Sequence, residues 1–117
     1  MDVIKLTKEL SKAITESEEM TALKDSHKEI EEHEAAKIML RDLKAFQKLI
    51  DKKRLSGEDI SEEDMDRFKR VFENAQMNPY SRNVLMAEAK LSEMINEVWK
   101  AISEAINSAI GEEDIKN

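Results

Sequence analysis

The residues that could bind metals do not occur at the spacing that metal sites require. The chain has two histidines and no cysteine among its 117 residues. A di-iron helical bundle needs Glu-x-x-His on two helices, but the residue three before His27 is Lys24 and the residue three before His33 is Ile30. The segment that starts at His33 begins like the zinc motif His-Glu-x-x-His, yet Lys37 stands in place of the second histidine. We therefore predict no metal ligands.

Other site chemistries also lack their required residues. The two glycines, Gly57 and Gly111, are too far apart to form a glycine-rich phosphate loop. The acidic run at 58–64 lacks the spacing and the central glycine of a calcium loop, and helix capping accounts for its acids. We expect His27 to be a partly buried helix residue and not a ligand. We predict that the protein is not an enzyme, with no catalytic, metal or cofactor-binding residue and no cofactor.

A regularly spaced row of basic side chains is the main charged feature. Its members recur every three or four residues and therefore share one side of a helix. One interpretation is a solvated surface that pairs with acids such as Glu29, Glu31 and Glu32; the other is a docking surface for an acidic protein or RNA. The net charge of −7 and an aromatic content of 4% disfavour direct nucleic-acid binding. This basic stripe consists of Lys37, Arg41, Lys44, Lys48 and Lys52.

The last third of the chain predicts a contact between chains. Asn78-Pro79 is a typical helix start, and no breaker follows before Gly111, which gives a helix of about 32 residues and about 48 Å. A compact chain of this length has a radius of gyration of only ~13 Å. Apolar residues recur along this helix at coiled-coil spacing, so we predict a homo-oligomer, a dimer or tetramer, unless the first two helices fold back over it. The predicted oligomer interface is Leu91, Met94, Ile95, Val98, Trp99, Ile102 and Ile106.

The rest of the sequence predicts an all-α fold, a bundle of about five helices in one domain that covers 1–117. Only three residues are glycine or proline, too few for turn-rich β folds. The predicted helices span about 3–17, 18–33, 35–55, 61–76 and 78–110, and the first two are either separate or one bent helix. There is no apolar stretch of the ~20 residues that span a bilayer and no signal-peptide core, so we expect a cytoplasmic protein.

Several segments, taken in order, resemble a known family. Each is a capping or packing signature, and the similarity lies in their order and spacing over nearly the whole chain. They resemble the YlbF/YmcA family of small bacterial helical proteins, including its YheA-like branch. The segments are Ser17-Glu18-Glu19, Phe46-Gln47-Lys48 with LSGEDISEE at 55–63, and Asn78-Pro79 with LMAEAKLSEMI at 85–95.

This resemblance implies an all-α bundle with a long C-terminal helix that forms dimers or larger assemblies in a bacterial cytoplasm. Some members of the family regulate competence, sporulation and biofilm formation, in a complex that associates with the endoribonuclease RNase Y. Certain members hold iron–sulfur clusters through cysteines, which this chain does not have. The expected function is a non-enzymatic helical adaptor or regulator that acts through self-association and partner binding. The alternative is an RNA-processing accessory factor that joins an RNase Y-type complex through the basic stripe.

Overall fold

The computed structural model describes residues 1–111, which form five α-helices without any strand. The all-α prediction and the long C-terminal helix are both confirmed. Short connections join the helices, the longest being the six residues between the third and the fourth. In chain order the helices are α1 (Val3–Thr15), α2 (Glu18–Ile30), α3 (Glu34–Leu55), α4 (Glu62–Met77) and α5 (Pro79–Ile110).

Side-chain caps fix where four of these helices begin. In each case a short polar side chain accepts a hydrogen bond from a backbone N–H in the first turn, which would otherwise have no partner. The cap at Ser17 also answers the open question about the first two helices, because it starts α2 as a separate helix after a corner at 16–17. The capping residues are Asp2, Ser17, Ser61 and Asn78, which accept from Ile4, Met20, Asp64 and Tyr80 at 3.0, 3.2, 3.0 and 2.9 Å.

The core is small and lies where α2, α3 and α4 meet the first half of α5. Ile30 of α2, Ala36 of α3 and Val84 of α5 form its centre, each no more than 3% exposed. Ala75 of α4 and Ser81 of α5 are completely buried, and the Ser81 hydroxyl donates to the Ala75 carbonyl. Because these residues are small, α4 and α5 approach closely around their connection.

The packing of α2 against α5 differs from the sequence expectation at His27. His27 is exposed, which corrects the expectation that it is partly buried, and the neighbouring Ser26 is buried instead. Ser26 lies in the groove between α2 and α5 beside Ala87, where the helices are close and a small side chain fits. Its hydroxyl donates to the Leu23 carbonyl at 2.8 Å, so burial leaves no polar group without a partner.

The molecule is elongated because α5 extends beyond this core. Its longest dimension is 49 Å and its radius of gyration is 18.9 Å, against ~13 Å for a compact chain of this length. α1 makes its main contact with α2, and none of the α1 residues, all of them described, is buried. The far part of α5 and the whole of α1 therefore project from the bundle.

Two leucines on α3 test how localised the core is. Leu43 is 4% exposed and Leu55 is 90% exposed. We expect Leu43→Ala to lower the free energy of unfolding by about 2–5 kcal/mol, because it leaves a cavity. The same substitution at Leu55 is expected to change it by less than about 0.5 kcal/mol. Chemical denaturation followed by circular dichroism measures both, and equal losses would contradict this assignment of the core.

Candidate self-association surface

The predicted interface residues lie on one side of α5 but differ in burial along its length. Towards the core, the predicted interface residues Leu91, Met94, Ile95 and Val98 are half-buried. Beyond them the side chains are exposed: 63% for Trp99, 43% for Ile102 and 55% for Ile106. Ile110, which the sequence prediction did not include, continues the row at 57% exposed. We call Trp99, Ile102, Ile106 and Ile110 the distal stripe.

The distal stripe is exposed because α2 ends before reaching it. Ile30 packs with Val84 near the start of α5, whereas Glu19 lies beside Met94 and Glu97. Thus α2 runs antiparallel to α5 and its first turn reaches only the level of Glu97. The chain then turns at the 16–17 corner into α1, which does not bury the stripe. Within residues 1–111, no other helix takes the place of α2 there.

The chemistry of the distal stripe suits contact with another apolar surface. Its side chains recur at intervals of three, four and four residues, so they are neighbours on adjacent turns. The charged residues of 93–110, which are Glu93, Glu97, Lys100 and Glu104, lie on the opposite side of the helix. Monomeric proteins rarely expose large contiguous apolar patches, and tryptophan is enriched among residues that dominate binding energy at interfaces.

The structure divides the basic stripe into paired and unpaired members. Lys37 lies 2.9 Å from Glu31, and hydrogen bonding to this carboxylate raises the pKa of Lys37. Lys44 lies 2.7 Å from Glu88 on α5. The other three members, Arg41, Lys48 and Lys52, form no ion pair within residues 1–111. Part of the basic stripe therefore forms ion pairs within the chain. The sequence predicted Glu31 as one of the acidic partners, but it did not predict Glu88, which lies 44 residues from Lys44 along the chain.

Two further contacts between helices were not anticipated from the sequence. The rings of His33 and Tyr80 stack with centroids 3.4 Å apart and planes 11° apart, which joins the start of α3 to the start of α5. Lys53 of α3 lies 2.7 Å from Asp64 of α4. The hydrogen bond between them holds the pKa of the Asp64 carboxyl below its usual value and raises the pKa of Lys53. Both contacts position helices relative to one another.

The side chains of residues 1–111 include no group of three His, Asp or Glu that could hold a metal ion. An iron–sulfur cluster held by thiolates does not fit this chain, because it has no cysteine. Among the described residues there is also no helix with the length and apolar composition that crossing a bilayer requires.

These features define a small all-α bundle protein in which residues 1–111 leave one side of the far half of α5 exposed. A family profile described as "Control of competence regulator ComK, YlbF/YmcA" matches residues 3–107. The chain therefore belongs to the YlbF/YmcA family, as the order of its capping and packing segments indicated.

Individual relatives agree with this assignment. A UPF0342 protein of Alkalihalophilus pseudofirmus is 38% identical over 103 residues, which cover 88% of this chain and 87% of that protein. A UPF0342 protein of Caldicellulosiruptor bescii is 30% identical over 105 residues, which cover 90% and 88%. A solved structure, titled as a protein of unknown function (DUF964) from Bacillus stearothermophilus, is similar with a TM-score of 0.86 over 93% of this chain and 96% of that one. At 21% identity, this likeness shows the fold.

Charge reversal on α3 tests the division of the basic stripe. We expect Lys44→Glu to lower the free energy of unfolding by about 0.5–1 kcal/mol, because it replaces the attraction to Glu88 by repulsion. Lys48→Glu is the matched control and is expected to have little effect. The double variant Lys44→Glu/Glu88→Lys should recover most of the loss in urea denaturation. Equal effects at Lys44 and Lys48, or a double variant without recovery, would show that the pair contributes nothing specific.

Proposed function

We propose that this protein is a non-enzymatic helical adaptor or regulator that acts through self-association and partner binding. The distal stripe is the observation that carries the proposal. It places four large apolar side chains in solvent on one helix, at the end of α5 farthest from the core. An exposed surface of this kind gains stability by burial against another protein, since apolar burial contributes about 25 cal/mol per Å² before association costs.

A two-fold homodimer is the simplest assembly that uses this surface. Such symmetry places the same surface of both copies in one interface, so each uncovered stripe is buried by the same event. The half-buried residues next to the stripe, Leu91, Met94, Ile95 and Val98, extend it towards the core and complete the proposed interface. Pairing of two such dimers into a tetramer would follow the same principle.

The family supports a regulatory role for such an assembly. Its description names control of the competence regulator ComK, and the relatives cited above carry no enzyme name. In this proposal the protein works in the cytoplasm and presents helical surfaces to a protein partner. The cations Arg41, Lys48 and Lys52, which are not used in ion pairs among the described residues, are the proposed docking surface for acidic groups of that partner.

The alternative, an accessory role in RNA processing within an RNase Y-type complex, has weaker support. It depends on the whole basic stripe, but Lys37 and Lys44 already form ion pairs with carboxylates of the same chain. The remaining three cations are few for phosphate binding by a chain with a net charge of −7. The first proposal requires only that the uncovered face of α5 be buried.

A pair of isoleucines with matched exposure tests the role of the distal stripe. Ile102 on α5 is 43% exposed and Ile38 on α3 is 44% exposed. We expect Ile102→Glu to reduce the molar mass in solution from a multiple of 13.5 kDa to the mass of one chain. The reason is that assembly would bury an unpaired carboxylate. Ile38→Glu should leave the assembly intact, and light scattering coupled to size exclusion measures both.

The same pair connects assembly to function in a bacterium that carries the gene. If the adaptor requires self-association, a deletion strain that expresses the Ile102→Glu chain should keep the deletion phenotype. A deletion strain that expresses the Ile38→Glu chain should regain the wild-type phenotype. Circular dichroism must first show that both variants retain helical content. A monomeric Ile102→Glu protein that complements fully would contradict the proposed role of self-association.

A further inference from the structure

α1 carries a second uncovered apolar face, which the function proposed above does not use. Val3, Leu6 and Leu10 recur at intervals of three and four residues and are 73%, 45% and 39% exposed. We call these three residues the α1 stripe. α1 is 13 residues long and contributes nothing to the core. A helix of this length is only marginally stable on its own in water, so an apolar face without a packing partner is unusual.

The polar residues of α1 leave this face free of charge. Lys5, Lys8 and Lys12 lie on the side of the helix opposite the α1 stripe. α5 shows the same separation beside the distal stripe, with Glu93, Glu97 and Glu104 on its opposite side. α1 has three lysines and one glutamate, whereas 93–110 has three glutamates and one lysine. Both helices therefore present an apolar face without charged side chains, and the net charges of α1 and of 93–110 are opposite in sign.

The corner between α1 and α2 keeps α1 away from α5 of its own chain. The Ser17 hydroxyl accepts from the Met20 N–H at 3.2 Å and donates to the Ile14 carbonyl at 2.6 Å. The Ser17 N–H also donates to the Ile14 carbonyl, at 3.2 Å. These bonds tie the end of α1 to the start of α2, beside Glu97 of α5. With this corner in place, α1 does not bury the distal stripe of its own chain, and both stripes are exposed to a second copy.

The α1 stripe is shorter than the distal stripe and fits within its length. Val3 to Leu10 on α1 spans about 11 Å, and Trp99 to Ile110 on α5 spans about 17 Å at the helical rise per residue. We propose that α1 of one copy packs across the distal stripe of a second copy, and that α1 of the second copy packs on the first. The two-fold assembly would then enclose four helices, α1 and α5 from each chain. This inference rests on the proposed self-association and specifies its contact surface.

Two leucines of similar exposure test whether α1 takes part. Leu10 on α1 is 39% exposed and Leu49 on α3 is 45% exposed. We expect Leu10→Glu to raise the dissociation constant of the assembly at least about 100-fold, because a carboxylate would enter the apolar contact. Leu49→Glu should leave the constant unchanged. Because Leu10 and Leu49 both lie outside the core, both variants should remain folded, and sedimentation equilibrium on the full chain measures the constants.

Cysteine cross-linking tests which surfaces meet, and the absence of native cysteine makes it specific. The full chain with Leu10→Cys and Ile106→Cys, treated with a short bismaleimide, should give a covalent dimer on a denaturing gel. A double variant with Leu10→Cys and Leu49→Cys is the control and should remain a single chain. A product linked only within one chain would overturn the proposal by showing that α1 covers its own α5.

Variants with one substitution distinguish the packing of α1 on a second copy from self-association in general. Ile106→Cys alone should cross-link poorly if α1 lies between the two α5 helices. Efficient dimers from Ile106→Cys alone, with an intact assembly in Leu10→Glu, would show direct contact between two α5 helices. That result would overturn the packing of α1 while leaving self-association in place. If Ile102→Glu has no effect on assembly either, self-association through this face fails as well.

Discussion

The length of α5 relative to the chain that can cover it is the constraint on which the structure depends. α5 has 32 residues, about 48 Å, whereas α2, which packs along it, has 13 residues and about 20 Å. The start of α2 lies beside Glu97, and the apolar row of α5 continues for three more turns. The apolar row of α5 is therefore half-buried near α2 and exposed beyond it.

The other helices concentrate their contacts at the opposite end of α5. The centre of the core joins α2, α3 and α5 at Ile30, Ala36 and Val84. The stacking of His33 on Tyr80 and the contact of Lys44 with Glu88 join α3 to the same half of α5. This distribution holds the first half of α5 against the bundle and leaves its far end without a neighbouring helix among residues 1–111.

The elements that local rules determine could be predicted, and those that depend on long-range packing could not. The starts of α4 and α5 follow from Ser61 and Asn78, whose caps act within three residues. Packing against α5 instead decided that Ser26 and not His27 is buried, although the two adjacent residues fit the helical pattern almost equally well. Likewise, an apolar pattern on α1 indicates a helix but does not indicate which surface covers it. The family followed from segment order, since no single motif identifies it.

The molar mass of the unaltered protein in solution tests the central claim most directly. One chain has a mass of 13.5 kDa. If the distal stripe is buried by self-association, sedimentation equilibrium at micromolar concentrations should give twice that mass or a higher even multiple, decreasing on dilution. A mass of 13.5 kDa at every concentration would contradict the account, because the uncovered face of α5 would then be stable in water without a second copy.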